Sequence, residues 1–253
     1  DALAHSHNLA TVRLLDKVGV KDVIEFAKTV GITSPLAADL SLGLGSSSVG
    51  LMELTSAYGV LLNQGSRAEP YAILSVKDNA GTVLEQAAPQ AIPVISKETA
   101  YLITNMMEDV IQKGTGQAAK VIGRPIAGKT GTTDEFINAW FIGGAPNLVT
   151  GIYGGFDDRR SLGETESGAH AALPIWINFM QVALKPLPVA AFTIPEGVTF
   201  VKVDPATGLL EGEDGQASTV ELFTKGSEPT QATQRRVDPM DFYKLDQIPE
   251  GTL

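Results

Sequence analysis

Ala127-Gly128-Lys129-Thr130-Gly131-Thr132-Thr133 puts one lysine, three hydroxyls and two glycines into seven residues, shortly before the apolar run Ala139-Trp140-Phe141-Ile142. A cation beside hydroxyl donors, on backbone carrying little bulk, is suited to gripping an anion and aiming it at a nucleophile. Phosphate is one candidate anion. Gly123-Arg124-Pro125-Ile126-Ala127-Gly128-Lys129-Thr130 satisfies the P-loop pattern G-x-x-x-x-G-K-[ST]. That pattern works only between a buried strand and a helix whose N-terminal amides cradle the phosphates. Residues 114–120 ahead of it are small and polar, and Gly131 with paired threonines behind it disfavours a helix. Pro125 also removes a donor amide from the loop. Residues 151–157 could imitate a second nucleotide motif, but three glycines weaken that strand. The context argues against nucleotide binding.

Carboxylate is the other candidate. Ser6-His7-Asn8 stands near the start of the chain, and Gly43-Leu44-Gly45-Ser46-Ser47-Ser48-Val49-Gly50-Leu51-Met52-Glu53-Leu54 is followed by Ala57-Tyr58-Gly59. Lys113-Gly114-Thr115-Gly116 precedes Lys129-Thr130-Gly131-Thr132-Thr133, and Ser167-Gly168-Ala169 with Ala172-Leu173-Pro174-Ile175-Trp176 follows it. In order and spacing these five segments, within residues 1–186, resemble the transpeptidase domain of class A high-molecular-weight penicillin-binding proteins, the bifunctional peptidoglycan synthases. One part of that family's pattern departs. No serine here has a lysine three residues later, and the nearest form, Thr199-Phe200-Val201-Lys202, lies downstream in an alternating strand. The family's S-x-x-K nucleophile precedes S-x-N, so the expectation is a fragment that begins after it. Asp1-Ala2-Leu3-Ala4 accordingly reads as mid-helix.

The resemblance implies an α+β fold of the serine β-lactamase/transpeptidase type: an antiparallel sheet packed with helices plus a helical subdomain, incomplete at the N-terminus. It implies a D,D-transpeptidase that recognises a stem peptide ending in D-Ala-D-Ala and is acylated by β-lactams. Thr130 and Thr132 would hold the terminal carboxylate with Lys129 supplying charge, and the Thr132 N–H would form half of an oxyanion hole. Gly131 would let substrate lie along the strand, with Thr133 beside it. Ser6 would relay a proton to the leaving amine, and Asn8 would orient the missing lysine and the substrate amide. The resemblance implies no cofactor, and a place on the outer face of the cytoplasmic membrane through an anchor absent from this sequence. A D,D-carboxypeptidase or β-lactamase-like hydrolase, and a non-catalytic wall-peptide-binding module, are the alternatives. Taken alone, Ser6 and Asn8 also fit an ordinary helix cap, and the threonines fit an exposed strand.

Composition bounds these readings. The 253 residues are 43% hydrophobic, enough for a sizeable core. The longest nearly unbroken apolar run, residues 173–184, is too short to cross a bilayer. Zero cysteines excludes thiol catalysis, and three histidines form no recognisable zinc pattern. His5 and His7 read as surface or capping residues. A net charge of −10 argues against nucleic acid as a partner. Residues 187–253 hold 11 acidic against 5 basic side chains and read as a solvated acidic extension behind the transpeptidase part, residues 1–186. Within it, residues 198–203 alternate and reach a turn at 204–208, a candidate small hairpin.

Periodicity places helices over residues 9–18, 22–30 and 49–64. Residues 71–76 and 82–86 flank Asp78-Asn79-Ala80-Gly81 as a hairpin. Residues 97–113 form the strongest helix, capped by Ser96 and stopped by Gly114, with Leu102, Ile103, Met106, Met107, Val110 and Ile111 as its buried stripe. Strands follow at the K-T-G element, at 138–143 and at 148–156, then a closing helix over 171–184 with Pro174 in its first turn. Trp140 reads as a core residue, and Gly114 and Gly116 as a helix stop and turn. If the family's first sheet strands lie upstream, one sheet edge is left open to association.

Overall fold

The computed structural model describes residues 1–212 and 218–233. They divide into two units, Asp1–Pro195 and Glu196–Leu253. The first unit opens with helices α1 (Asn8–Val18), α2 (Val20–Thr29) and α3 (Leu51–Leu62). Short strands β1 (Ser66–Ala68), β2 (Ser75–Lys77), β3 (Val83–Gln86) and β4 (Ala91–Pro93) lead to helix α4 (Lys97–Gln112). Strands β5 (Ala127–Thr132), β6 (Asn138–Ala145) and β7 (Leu148–Gly155) precede helix α5 (Leu173–Ala183). The second unit contains β8 (Val198–Val203) and β9 (Thr219–Thr224).

β5, β6 and β7 form an antiparallel sheet in that order, with β6 and β7 joined by the tight connection Ala145 to Leu148. Alternation gives the sheet two distinct faces. Ala139, Phe141 and Ile152 turn toward α5, where Trp176 is fully buried and meets Phe141 edge to face at 4.8 Å. Such a pair contributes about 1 kcal/mol beyond its buried area. The Trp176 indole also donates to the Thr150 carbonyl at 3.0 Å, so burying its N–H leaves no donor unmet. On the other face Leu51 and Thr55 of α3 lie against Gly151. Ala127 is buried among Leu62 of α3, Met107 of α4 and Phe192.

The structure departs from the sequence expectations in several places. The buried face of α4 is Ala100, Thr104, Met107, Val110 and Ile111, while Met106 is exposed. The face is rotated because the Thr104 hydroxyl donates to the Leu61 carbonyl at 3.2 Å, which satisfies a polar group in the core. The hairpin at Asp78 forms, its carboxylate accepting from the Ala80 and Thr82 amides, but pairing starts only at Ser75. β1 pairs with β4 around that hairpin, a ladder the sequence did not announce. A π-helical turn, Gly168–Ala172, leads into α5 and displaces its start to Leu173. In the second unit the Asp204–Gly208 turn forms, but β8 takes β9 as its strand partner, and Leu210 makes isolated bridges to Val203 and Ala232. Residues 213–217 and 234–253 of the acidic extension lie outside the described residues.

Candidate active site

β5 pairs with β6 along one side, with Lys129 opposite Ile142, Thr130 opposite Phe141 and Gly131 opposite Trp140. Its other side has no strand among the described residues. Lys129, Thr130 and Gly131 are half-buried there, and Thr132 is exposed at the strand end. No helix follows Thr130, and Gly128, Lys129 and Thr130 all belong to the strand, so the P-loop letters build no phosphate cradle.

The Lys129 Nζ donates to Ser6 Oγ at 2.8 Å and to the Thr130 carbonyl at 3.0 Å, with Thr130 Oγ1 at 3.4 Å. Residues 123 positions apart thus meet through side chains. No carboxylate pairs with Lys129 among the described residues. Burial pulls its pKa from 10.5 down to about 8. A desolvated ammonium with only neutral partners favours any anion that can reach it.

Ser6 sits in the turn before α1 at φ 58°, where its amide bonds the Leu3 carbonyl and that of His7 bonds Ala2. A left-handed serine is strained by about 1 kcal/mol. α1 has His7 as N-cap and no side-chain cap, so the Ser6 hydroxyl is not a helix cap. Asn8 is the exposed first residue of α1, and its side chain bonds none of these groups among the described residues. His5 and His7 are exposed and stack on each other.

Thr130 Oγ1 meets Thr115 Oγ1 at 2.7 Å. Thr132 Oγ1 accepts the Gly168 amide at 3.0 Å, which uses a lone pair and keeps the hydroxyl proton available. The Thr133 hydroxyl accepts the Asn138 amide at 2.9 Å, closing the β5–β6 connection. Trp140 is half-buried, tilted against Tyr153 with centroids 4.7 Å apart, and is not the core residue that its apolar neighbours imply. It projects from the face opposite Phe141, and the core tryptophan is Trp176.

Two known families match the chain that carries this strand edge. The family described as penicillin binding protein transpeptidase domain matches residues 1–172, and that described as penicillin-binding protein 1A, C-terminal domain, matches residues 194–237. The chain belongs to the penicillin-binding protein transpeptidase family. Penicillin-binding protein 1A of Aquifex aeolicus is 41% identical over 228 residues, which cover 90% of this chain and 31% of that protein. The chain therefore spans about a third of the length of that relative. The crystal structure of penicillin-binding protein 1A from Haemophilus influenzae superposes with a TM-score of 0.87 at 31% identity, covering 92% of this chain and 40% of the other. The PonA1 protein of Mycobacterium tuberculosis, solved in complex with penicillin V, has a TM-score of 0.67 at 26% identity, covering 77% of this chain and 58% of that one. The fold is that of the serine β-lactamase/transpeptidase type, as the motifs implied.

Two residues beside this group, Thr115 and Gly168, stood in resembling segments of the sequence without an assigned role. Thr115 stood between glycines taken as a helix stop, and a Cβ on Gly114 would lie 2.0 Å from the Ala4 carbonyl oxygen, so the loop presses on the turn that holds Ser6. Gly168 reaches Thr132, and a Cβ there would lie 2.4 Å from the carbonyls of Gly131 and Trp140. The sequence signal for both was membership of segments that resemble the family, residues 113–116 and 167–169.

Proposed function

We propose that this chain supplies the substrate-clasping part of a serine-type peptidoglycan D,D-transpeptidase site, with the acylated serine on polypeptide outside these 253 residues. The observation that carries this is the half-buried Lys129 ammonium, unpaired with any carboxylate among the described residues and joined to Ser6 and Thr130. A stem peptide ending in D-Ala-D-Ala lies along β5 as an added strand, with Gly131 keeping that edge free of bulk. Its terminal carboxylate takes hydrogen bonds from Thr130 and Thr132 beside the Lys129 charge, each contributing about 1.5–3 kcal/mol. The Thr132 N–H serves the oxyanion, a donor whose loss typically costs about 100- to 1000-fold in rate. The attacking serine gives its proton to the lysine that the chain lacks as its oxygen displaces D-alanine from the penultimate carbonyl, Ser6 relays that proton to the departing amine, and an acceptor amine resolves the ester. Asn8 orients the lysine that the chain lacks, and Thr133 holds the strand end in place. β-Lactams imitate the donor, a reading that the PonA1 complex with penicillin V supports. We assign this work to residues 1–186, and a solvated role to the acidic remainder, at the outer face of the cytoplasmic membrane. No described helix is long and apolar enough to cross a membrane.

Intact-mass spectrometry with penicillin tests the proposal. The 253-residue chain is expected to stay unmodified, and a longer protein restoring an upstream S-x-x-K is expected to be acylated about 100-fold more slowly as Lys129→Ala. A stable adduct on the chain alone, or an unchanged rate in that variant, overturns the assignment.

A further inference from the structure

The Gly114-Thr115-Gly116 loop is wedged between the two elements of the site. The Thr115 amide donates to the Ala4 carbonyl at 3.1 Å, beneath the turn that carries Ser6, and the Thr115 hydroxyl meets that of Thr130 at 2.7 Å. A threonine hydroxyl has one proton and two acceptor sites. Lys129 approaches Thr130 Oγ1 at 3.4 Å and has only protons to offer, so it takes up one acceptor site. The direction of the Thr115–Thr130 bond then decides what Thr130 can offer. With Thr130 as donor its proton is held inside the protein and a carboxylate at the strand edge meets only lone pairs. With Thr115 as donor both acceptor sites of Thr130 are filled and its proton is left for the edge.

We infer that Thr115 is a positioning residue: it donates to Thr130, fixes that side chain's rotamer and leaves the Thr130 proton directed at a substrate carboxylate. The inference rests on the carboxylate-binding reading of β5, and it adds a residue that never touches substrate. The same loop ties the Ser6 turn to β5, so one short segment sets the spacing of serine, lysine and threonine. Backbone holds the serine side and a hydroxyl holds the threonine side.

Titrating the chain by NMR with N-acetyl-D-alanyl-D-alanine and with its C-terminal amide separates the two layers. The wild type is expected to prefer the acid. Thr115→Val is expected to weaken the acid about 3- to 10-fold, the net value of one hydrogen bond, leave the amide unchanged, and be rescued by Thr115→Ser. Thr130→Val is expected to remove the acid preference, and adding Thr115→Val to it to change nothing more. A ligand-free measurement runs alongside: three-bond couplings report one χ1 rotamer for Thr130 in the wild type and Thr115→Ser, and averaging in Thr115→Val. Unchanged Thr130 couplings in Thr115→Val overturn the inference, as does wild-type acid affinity in that variant. Equal binding of acid and amide by the wild type overturns instead the carboxylate reading, and the couplings then still decide the role of Thr115.

Discussion

Lys129 keeps its charge where water is scarce, and that has a pH signature. Its pKa falls from 10.5 to about 8 on folding because burial disfavours the ammonium. Between those values the unfolded chain holds a proton that the folded chain has released, so stability rises with pH through that window. Below about pH 8 the buried ammonium exacts its full cost. Half-buried Tyr58 acts oppositely at higher pH, since desolvation raises its pKa from 10.0 to about 12 and the unfolded chain ionises first. Urea melts between pH 8 and about 9.5 should therefore gain about 1–2 kcal/mol in the wild type and nothing in Lys129→Met. Equal pH slopes in both proteins would show that Lys129 is not desolvated. At this scale the site was legible wherever chemistry demands a particular side chain. Lys129, Thr130 and Ser6, whose side chains the structure brings together, were singled out by the family resemblance of their segments, since taken alone Ser6 also fits a helix cap and Thr130 an exposed strand. Thr115 lay in a resembling segment, but its role was not legible, because its partner Thr130 lies on a different element.

Elements are held by local bonds that sequence announces unevenly. Glu53, in the first turn of α3, accepts from the Gly50 amide at 2.7 Å, the Thr33 amide at 2.7 Å, the Thr33 hydroxyl at 2.9 Å, the Ser34 amide at 3.0 Å and the Ser34 hydroxyl. These bonds, led by the Ser34 hydroxyl, hold its pKa at about 2 against a usual 4.5. The group's contribution is present in full above pH 4.5 and is lost as pH falls toward 2. Glu53→Ala should cost about 0.5–2 kcal/mol at neutral pH, the range for losing a helix cap, with the difference narrowing in acid. Thermal melts at pH 7 and about pH 3 check this, and a constant difference between them would assign the loss to packing. Neither the Gly50–Glu53 cap nor its tie to residues 33 and 34 was read from the sequence, since nothing local says which loop will return there. α4 shows the same division. Its Ser96 cap and Gly114 stop marked its ends, yet its buried face turned on Thr104 finding a carbonyl on α3. β1 and β4 are three residues each and pair across an intervening hairpin, too short for alternation to register.

At the scale of the whole molecule the three-stranded sheet has two edges without a strand partner among the described residues. Among the described residues β7 pairs only with β6, and its outer edge carries one plug, the Trp176 indole on the Thr150 carbonyl. Natural edges are guarded by charges, prolines or bulges. Leu148–Gly155 contains neither charge nor proline, and its ladder to β6 runs in unbroken register. An antiparallel strand can pair with a copy of itself about a two-fold axis, which closes the contact at two chains. The chain alone is expected to associate through β7, with sedimentation velocity showing a dimer that grows with protein concentration. Gly154 offers a clean probe, because a Cβ there meets nothing nearer than the Ala139 carbonyl at 4.0 Å. Gly154→Lys should put a charge beside the edge, on the face that Ala139 shares, and shift the chain to monomer, with its melting temperature showing whether packing is lost as well. A wild-type chain that stays monomeric at high concentration, or a dimer indifferent to the new lysine, would remove β7 as the contact. The same experiment bears on the site: β5 is the other open edge, and a dimer that survives Gly154→Lys but dissolves on adding a D-Ala-D-Ala peptide would place the contact on the strand that carries Lys129.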